Sequence, residues 1–563
     1  MTLNGSEILV KVLQEQGVDT VFGYPGGCVL NIYDALYKNS DKIRHIMTAH
    51  EQGAAHAADG YARATGRTGV CIATSGPGAT NLVTGLATAY MDSVPMVAIT
   101  GNVPTSLIGR DSFQEVYITG ITMPITKHNF FVNDVNQLAD TLRRAFEIAH
   151  TGRFGPVLVD ITKDVTAALC EYTAPDENTK TSKQPTYNNL EEIADIINSA
   201  KRPFVYCGGG IRLSGAEAET QEFITKADIP ASYTLMAAGV LSYGDRNNLG
   251  LLGMHGMYSA NKAIHEADVV IALGTRFSDR VALNGENFCK NAKIIHIDIA
   301  KSEIGKNVPC DYSVNGDMKD VLCKLNPLIK EQKRDVWHAK IDEWRARDHK
   351  PVDVDENKKE LKPHQIIRET CALAGEDAIY VTDVGQHQMW AAQYISHVRP
   401  NSFLTSGGLG TMGYGYGAAI GACIGTEGER PVIHFTGDGS FHMNMNEACT
   451  AVSYNVPVIT VIMNNQVLGM VHQWQQIFYG RRFASSEPER ETNYKTVAEG
   501  FGAIGYHCET LAEYKTALAE ALKANKPVWI ECVIDRFENV YPMIPGGKTV
   551  EDTIINNPEE AGK

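Results

Sequence analysis

The sequence lacks several features that mark other classes of protein. It has no uninterrupted apolar run of about 18 or more residues, so no membrane-spanning helix is predicted. Its 12 cysteines include no CxxC pair, which argues against a zinc site or a disulfide framework. Its net charge of −15 argues against nucleic acid as a partner. The hydrophobic content of 44% and the charged content of 21% are typical of a globular protein.

The N-terminus lacks the charged and apolar regions of a secretory signal. It reads MTLNGSEILVKVLQEQG, a pattern that predicts an amphipathic helix. We therefore expect a cytoplasmic protein with reduced thiols.

The chain of 563 residues is long enough for about three domains. Short apolar runs ending in glycine or small polar residues alternate with helical stretches, which predicts parallel sheets covered on both faces. Two stretches, 173–190 and 350–363, have the polar composition of linkers. The sequence thus predicts an α/β fold with three doubly wound domains, of which the first and third could be related. The expected segments are 1–172, 190–345 and 361–540, with a tail at 541–563.

An acidic turn follows one apolar run, and an asparagine pair follows the next. PVIHFT (431–436) and VPVITVIM (456–463) have the length and β-branched content of buried parallel strands. The stretch between them, 441–455, can form a crossover helix. Parallel strands end at the same edge of a sheet, so Asp438 and Asn465 should lie close together.

These residue types suit a metal–diphosphate site. Mg²⁺ prefers oxygen ligands, and one carboxylate, one amide oxygen and one main-chain carbonyl would leave room for two phosphate oxygens and a water. Gly437 and Gly439 let the main chain approach a phosphate closely. In an ordinary strand-turn-helix the acid, the glycines and the paired asparagines would be coincidental.

Glu51 is the candidate carboxylate for proton chemistry. It follows the strand-like run IRHIMT and precedes an alanine-rich helix that permits close packing. If it is partly buried, its pKa should rise, which would make it a better acid near neutrality. The alternative is a helix N-terminal glutamate that interacts with the dipole, and these residues alone leave both interpretations open.

The GDG start and NN end resemble the fingerprint of thiamine diphosphate (ThDP) enzymes. The resemblance implies that Asp438, Asn465 and the carbonyl of Val467 bind Mg²⁺. It also implies that Glu51, in HEQGAAH, hydrogen-bonds the aminopyrimidine of ThDP. In such enzymes two subunits share one cofactor, so a homodimer or a dimer of dimers is expected.

Motifs along nearly the whole chain resemble the catalytic subunit of the acetohydroxyacid synthase (acetolactate synthase) family. They include YPGG, HEQGAAHAADGYARATG, TSGPGATN, GMHG, GTRFSDRV, TSGGLGTMGYG, NNQVLGMVHQWQQIFY and ENVYPMIPGG. The family decarboxylates pyruvate and transfers the hydroxyethyl unit to a second 2-oxo acid, pyruvate or 2-oxobutanoate. This is the first common step of branched-chain amino acid biosynthesis. The resemblance also implies FAD in the middle domain and a separate regulatory small subunit.

The resemblance assigns roles to individual positions. Gly27 would lie by the reacting carbonyl, Met412 beneath the cofactor, and Trp474 at the acceptor pocket, favouring 2-oxobutanoate. The substrate entrance would be bordered by Phe113, Gln114 and Lys127. The other ThDP positions are Tyr24, Pro25, Gly26, Pro77, Asn81, Val384, Gly385, Gln386, His387, Gly410, Gly437, Gly439, Ser440, Gly469 and Met470. The FAD positions are Arg153, Gly208, Gly209, Thr234, Leu235, Met254, His255, Gly274, Arg276, Asp279, Arg280, Asp298 and Asp317.

Rival functions share parts of this pattern. A pyruvate oxidase or a simple 2-oxo acid decarboxylase would use the same cofactor, but Trp474 and the PMIPGG segment argue against both. A non-catalytic nucleotide-binding protein is disfavoured by Glu51 and Asp438. The segment RRFASS (481–486) departs from the family pattern and leaves the preferred acceptor open.

The role of Glu51 can be tested by substitution. Glu51→Gln is expected to leave folding intact and to lower turnover by at least about 10²-fold, the usual range for a general acid–base group. Steady-state product formation and the melting temperature measure the two effects. Nearly full activity in the variant would refute the assignment.

Overall fold

The computed structural model describes residues 1–174, 186–282, 288–396 and 399–556. It contains three six-stranded sheets in which every paired strand runs parallel, so the predicted α/β class is confirmed. Most of the first predicted linker (175–185) and the end of the predicted tail (557–563) lie outside the described residues. The exact domain boundaries stay predictions.

The first part of the chain forms one sheet, a two-stranded antiparallel ribbon and their helices. The strands are β1 Thr2–Asn4, β2 Thr20–Gly23, β3 Arg44–Met47, β4 Gly69–Ala73, β5 Met96–Asn102, β6 His128–Val132, β7 Pro156–Thr162 and β8 Leu169–Glu171. The helices are α1 Gly5–Glu15, α2 Leu30–Lys38, α3 Glu51–Thr65, α4 Pro77–Asn81, α5 Val83–Asp92, α6 Ile118–Thr122, α7 Leu138–His150 and α8 Lys163–Ala167. The predicted N-terminal helix is therefore present as α1, which buries Ile8, Leu9, Val12 and Leu13.

The middle part forms the second sheet. Its strands are β9 Pro203–Cys207, β10 Ala231–Tyr233, β11 Asn248–Leu251, β12 Val269–Leu273, β13 Lys293–Asp298 and β14 Tyr312–Asn315. Its helices are α9 Leu190–Ser199, α10 Gly209–Ser214, α11 Glu217–Ala227, α12 Tyr258–Glu266, α13 Asp279–Ala282, α14 Met318–Leu325 and α15 Asp335–Arg345.

The last part forms the third sheet. Its strands are β15 Ile379–Thr382, β16 Phe403–Thr405, β17 Val432–Gly437, β18 Val458–Asn464, β19 Ile504–Cys508 and β20 Val528–Val533. Its helices are α16 Pro363–Ala374, α17 Gln386–Tyr394, α18 Gly415–Gly425, α19 Asp438–Phe441, α20 Ala448–Ser453, α21 Gly469–Phe478, α22 Tyr494–Phe501 and α23 Leu511–Ala524.

The strand orders reveal two topologies. The first sheet is ordered β3-β2-β4-β5-β7-β6 and the third β16-β15-β17-β18-β20-β19, so both follow one winding pattern. The middle sheet is ordered β11-β10-β9-β12-β13-β14, an arrangement common in dinucleotide-binding folds. In open sheets of this kind a ligand crevice forms where the winding direction reverses. These points lie between β2 and β4, between β9 and β12, and between β15 and β17.

The first and third parts meet along two closely packed helices, α3 and α18. A Cβ at Gly60 of α3 would overlap the main chain of Ala418, and a Cβ at Gly421 of α18 would overlap the carbonyl of Ala57. One apolar core extends across both parts: it includes Phe22 of the first sheet and residues of α18 in the third part. The glycines therefore set how near the two parts lie.

The crossover helix expected over 441–455 is broken in the structure. A turn separates α19 from α20, and there Asn444 has φ −142° and donates from its side chain to the carbonyl of Gly413. The break lets Glu447 face α3, where its carboxylate accepts the N–H groups of Ala49 and His50, each at 3.1 Å. Contacts distant in sequence thus override the local helical pattern.

The close contact between α3 and α18 predicts that the same substitution has different effects on stability at two glycines. Gly421→Ala should shift the urea midpoint downward by the equivalent of about 1–3 kcal/mol, because the added methyl group forces α3 and α18 apart. Gly500→Ala, in α22, is the matched control, since a Cβ there would meet nothing within 4 Å. That control should be neutral or stabilise the protein by up to about 1 kcal/mol. Equal midpoints for the two variants would contradict the packing argument.

Candidate active site and cofactor cavity

The acidic turn and the asparagine pair lie at neighbouring ends of the third sheet. β17 and β18 pair in parallel, with Gly437 opposite Met463. Asp438 opens α19, and Asn465 follows directly after β18. Both side chains are buried. The two residues are therefore brought together as predicted.

The groups at this edge fit a hard cation. Burial raises the pKa of Asp438 to about 6, because a carboxylate buried with little compensating positive charge is costly. A bound metal ion would supply that positive charge. Gln466 has a φ of 58°, and the turn there lets the N–H of Val467 donate to Asn465 Oδ1 at 3.3 Å. The described residues contain no group of three or more His, Cys, Asp or Glu side chains placed for a metal. A cation here would depend on amide and main-chain oxygens as well as Asp438.

The loop after β15 lies beside this edge and is fixed by Asp383. This buried carboxylate accepts hydrogen bonds from the N–H of Gly415 at 2.7 Å, Thr436 Oγ1 at 2.8 Å and His434 Nε2 at 3.3 Å. Burial alone would raise its pKa, but His434 and the other donors lower the pKa of Asp383 to about 2. The carboxylate is thus charged and held under the predicted ThDP positions Val384 to His387.

The predicted glycines next to this loop are places of close approach. A Cβ at Gly437 would lie 3.0 Å from His387 Nδ1, and one at Gly439 would lie 2.6 Å from Leu468 Cδ2. His387 Nε2 is buried and has no hydrogen-bond partner among the described residues, so it is free to meet a bound group. Gln386 donates to Gln473 Oε1 and to the carbonyl of Glu538, both at 3.0 Å. Ser440 accepts a hydrogen bond from Gly413 N–H at 3.2 Å.

A cavity of about 1320 Å³ opens at the reversal point of the middle sheet. All the positions predicted for FAD line it, together with Val384, Gly385, Gly410, Met412, Met470 and Trp474. Trp474 projects from α21, and its ring lies 5.0 Å from that of Phe478. The structure therefore joins the predicted flavin positions, part of the ThDP positions and the predicted acceptor selector in one space.

The cavity wall fits a dinucleotide. The ends of β9 and β12 approach so closely that a Cβ on Gly210 would lie 2.8 Å from Gly274 Cα. The buried hydroxyls of Thr234 and Thr275 have no hydrogen-bond partner in the described part of the chain. Burial, and next to it the positive charge of Arg276, lowers the pKa of Arg153. Two neighbouring cations and free hydroxyls suit an anionic, polar ligand.

Glu51 lies at the reversal point of the first sheet. It opens α3, its carboxylate is buried, and Oε2 accepts a hydrogen bond from Asn81 Nδ2 at 2.9 Å. A Cβ on Gly78 would lie 3.2 Å from Glu51 Oε1. Glu51 is both buried and at a helix N-terminus, so both interpretations stay predictions. Tyr24, Pro25, Gly26 and Gly27 follow β2, and a Cβ on Gly26 would lie 2.5 Å from Thr74 Cβ, after β4. Pro77 opens α4.

The structure separates some predicted site residues from the cavity. In the described chain, Glu51 and the positions after β2 do not line it, nor do Phe113, Gln114 and Lys127. Phe113 is 87% exposed. Lys127 Nζ donates to the carbonyls of Ile148 and, at 2.6 Å, Thr151, and burial lowers its pKa to about 8. Within one chain these residues are not assembled around Trp474, so their catalytic roles stay predictions.

Two residues of the site were missed by the sequence reasoning. Asp383 lies at the end of β15, directly before the predicted ThDP positions Val384 to His387, and this position could have singled it out. Asp92, at the C-terminal end of α5, also lines the cavity, and no local pattern distinguishes it.

None of the described helices is long and apolar enough to cross a membrane.

Models of protein families match all three parts of the chain. The N-terminal TPP binding domain of thiamine pyrophosphate enzymes matches residues 3–121, their central domain residues 190–325, and their C-terminal TPP binding domain residues 383–532. The geometry and these matches define a thiamine diphosphate-dependent enzyme.

Curated relatives narrow the family. The probable acetolactate synthase large subunit of Methanococcus aeolicus is 43% identical over 99% of this chain and 97% of its own. The acetolactate synthase isozyme 1 large subunit of Escherichia coli (strain K12) is 43% identical over 96% of each chain. The acetolactate synthase large subunit of Haemophilus influenzae is 40% identical over 99% of each. The chain belongs to the family of acetolactate synthase large subunits.

The role of Asp438 can be tested through cofactor binding. Asp438→Asn should weaken Mg²⁺-dependent binding of ThDP at least about tenfold, because a charged ligand to the cation is lost. Quenching of tryptophan fluorescence during a ThDP titration measures the affinity. The metal-free variant should melt no lower than the wild type, since the buried charge is gone. Unchanged Mg²⁺-dependent affinity would contradict the assignment.

Proposed function

We propose that this chain catalyses the acetolactate synthase reaction. Pyruvate loses CO₂, and the resulting hydroxyethyl unit passes to a second 2-oxo acid, which is pyruvate or 2-oxobutanoate. The products are 2-acetolactate and 2-aceto-2-hydroxybutanoate, in the biosynthesis of branched-chain amino acids. The observation that carries this proposal is the identity with acetolactate synthase large subunits over nearly the full length of both chains.

The cofactors are thiamine diphosphate, Mg²⁺ and FAD. When bound, ThDP stabilises the electron pair left by decarboxylation of a 2-oxo acid. Asp438, Asn465 and the Val467 carbonyl would hold Mg²⁺ against the diphosphate. The positions around Arg153 and Gly208 would hold FAD, which the free Thr234 and Thr275 hydroxyls support.

Side chains of this protein would hold a proton, orient the cofactor and the acceptor, and limit the access of water. Glu51 would hold a proton at the aminopyrimidine end, where its burial away from water strengthens a hydrogen bond. Its fixed direction comes from Asn81, which donates to the other carboxylate oxygen. Met412 would support the thiazole end, and Trp474 would wall the acceptor pocket. Apolar groups such as Met470 and Leu409 would limit the access of water to the cavity.

Two copies of the chain would complete one site. In a single chain Trp474 lines the cavity and Glu51 does not, so a second copy would bring a pyrimidine half to a diphosphate half. Exposed apolar side chains near the predicted entrance, Phe113, Tyr117 and Met123, are suited to such an interface.

A separate small subunit as regulator and a cytoplasmic location also remain proposals.

Product analysis tests the reaction and the acceptor. With equimolar pyruvate and 2-oxobutanoate, ThDP, Mg²⁺ and FAD, the protein should form mainly 2-aceto-2-hydroxybutanoate. Trp474→Leu should lower the ratio of this product to 2-acetolactate by roughly tenfold, the scale of one altered contact in an apolar pocket. Tyr479→Leu, exposed beyond the end of the same helix, should leave the ratio unchanged.

Other products would point elsewhere. Acetaldehyde, or bleaching of bound flavin under anaerobic pyruvate, would refute the proposed reaction. Acetolactate as the sole product, without dependence on FAD, would refute the flavin site and the role of Trp474.

A further inference from the structure

Asp92 joins the first part of the chain to a loop of the third. Its Oδ1 accepts the N–H of Gly408 at 2.7 Å, and its Oδ2 accepts the N–H of Gly407 at 3.0 Å. The side chain has no exposed surface. Both oxygens are thus committed to the main chain of an element more than three hundred residues away in sequence.

The carboxylate is held in place by a buried ion-pair network. Arg63 Nη2 lies 2.9 Å from Asp92 Oδ2, and Arg63 Nε lies 2.6 Å from Asp59 Oδ1. Arg63 Nη1 also donates to the carbonyl of Thr405 at 3.0 Å, and Tyr414 Oη donates to Asp59 Oδ1 at 2.7 Å. Both ends of the segment 405–414 are therefore tied to α3, while Asp92 holds its middle.

The end of α5, which carries Asp92, is held by one arginine from the second part of the chain and one from the first. Arg276 Nη1 donates to the carbonyl of Met91 at 2.6 Å. Arg153 Nε donates to Ser93 Oγ at 2.7 Å and Nη2 to the carbonyl of Tyr90 at 3.3 Å. The residues 90–93 are thus a junction of all three parts.

The segment 405–414 depends on these contacts for its shape. Its residues 406–414, between β16 and α18, form no helix or strand, and Gly410 and Gly413 have φ of 72° and 84°. Gly408 must be a glycine, because a Cβ there would lie 2.8 Å from Asp92 Oδ1 and 2.9 Å from Met91 Cβ. Gly407 to Gly410 and Met412 form one wall of the cavity, next to Met91 and Asp92.

We propose that Asp92 is a positioning residue for the reaction: from the first part of the chain it fixes the loop that carries Met412, and so sets the cavity wall that supports the cofactor. The inference rests on the proposed function. Asp92 acts on the cofactor through the loop. Trp474, which is predicted to wall the acceptor pocket, lies on a different element, α21, so the substrate pocket should keep its shape when the loop loosens. A loosened loop should therefore weaken ThDP binding and lower kcat while KM for pyruvate stays nearly constant.

Two matched variants separate positioning from stability. Asp92→Asn and Asp59→Asn each remove one negative partner of Arg63, but only Asp92 holds Gly407 and Gly408. Both should lower the melting temperature of the full-length protein. Asp92→Asn should weaken ThDP binding in saturating Mg²⁺ at least about tenfold, as expected for lost hydrogen bonds to a charged acceptor. Asp59→Asn should stay within about threefold of wild type, because the amide oxygen can still accept the Tyr414 hydroxyl that ties the end of the segment to α3.

Gly408→Ala is the second test, and it decides the matter where Asp92→Asn does not fold. Its methyl group displaces the loop from Asp92 and leaves the Arg63 ion pairs in place, so it should reproduce the loss of ThDP affinity and of kcat. Fluorescence titration gives the affinity, and steady-state rates at saturating ThDP give kcat and KM.

The outcomes distinguish this inference from the function on which it rests. Equal weakening by Asp92→Asn and Asp59→Asn would overturn the positioning role, as would wild-type affinity in Gly408→Ala. A wild-type protein that binds no ThDP in the presence of Mg²⁺ would instead overturn the proposed function.

Discussion

The close crossing of α3 and α18 is the contact on which the rest of the arrangement depends. These helices come from sheets of the same topology, and small residues along both let their main chains touch. Glu51 opens the first helix, and the second follows the loop that carries Met412. A change in the distance between the helices would therefore move the predicted proton-handling group relative to the third sheet. Close-packed interiors transmit such shifts, because neighbouring side chains have no spare volume to absorb them.

Each part of the chain has its candidate site at the reversal point of its own sheet, and the three sites differ in their residues. Each sheet places small or acidic residues at the carboxyl ends of its strands, where main-chain groups are exposed to a ligand. At the first point stands Glu51 with Asn81, at the second the glycines of the cavity, and at the third Asp438. The middle sheet differs in winding, which matches its predicted dinucleotide in place of a thiamine half.

Much of this could be predicted from local pattern, because the signals lay in short stretches. Two apolar runs, one followed by glycine and the other by an asparagine pair, predicted the strands β17 and β18, and the positions of Asp438 and Asn465 at their ends predicted that the two lie together. The predictions failed where a distant contact decided the structure. The crossover helix breaks because Asn444 and Glu447 bind main-chain groups of other elements. Asp92 escaped notice for the same reason, since its partners Gly407 and Gly408 are remote in sequence. Phe113 and Lys127, predicted to border the substrate entrance, do not line the cavity of a single chain.

The contact between Gly53 and Glu447 constrains how this family member can change. Glu447 accepts the N–H groups that precede α3, and a Cβ on Gly53 would collide with its carboxylate. A larger residue at 53 displaces the acid, and loss of the acid leaves two N–H groups without their acceptor, so position 53 cannot change while Glu447 is retained. The two sites are therefore epistatic, and an accessible route to a different residue at 53 passes first through a shorter acid at 447. Libraries that randomise one position at a time would record position 53 as immutable, although the two residues can change together.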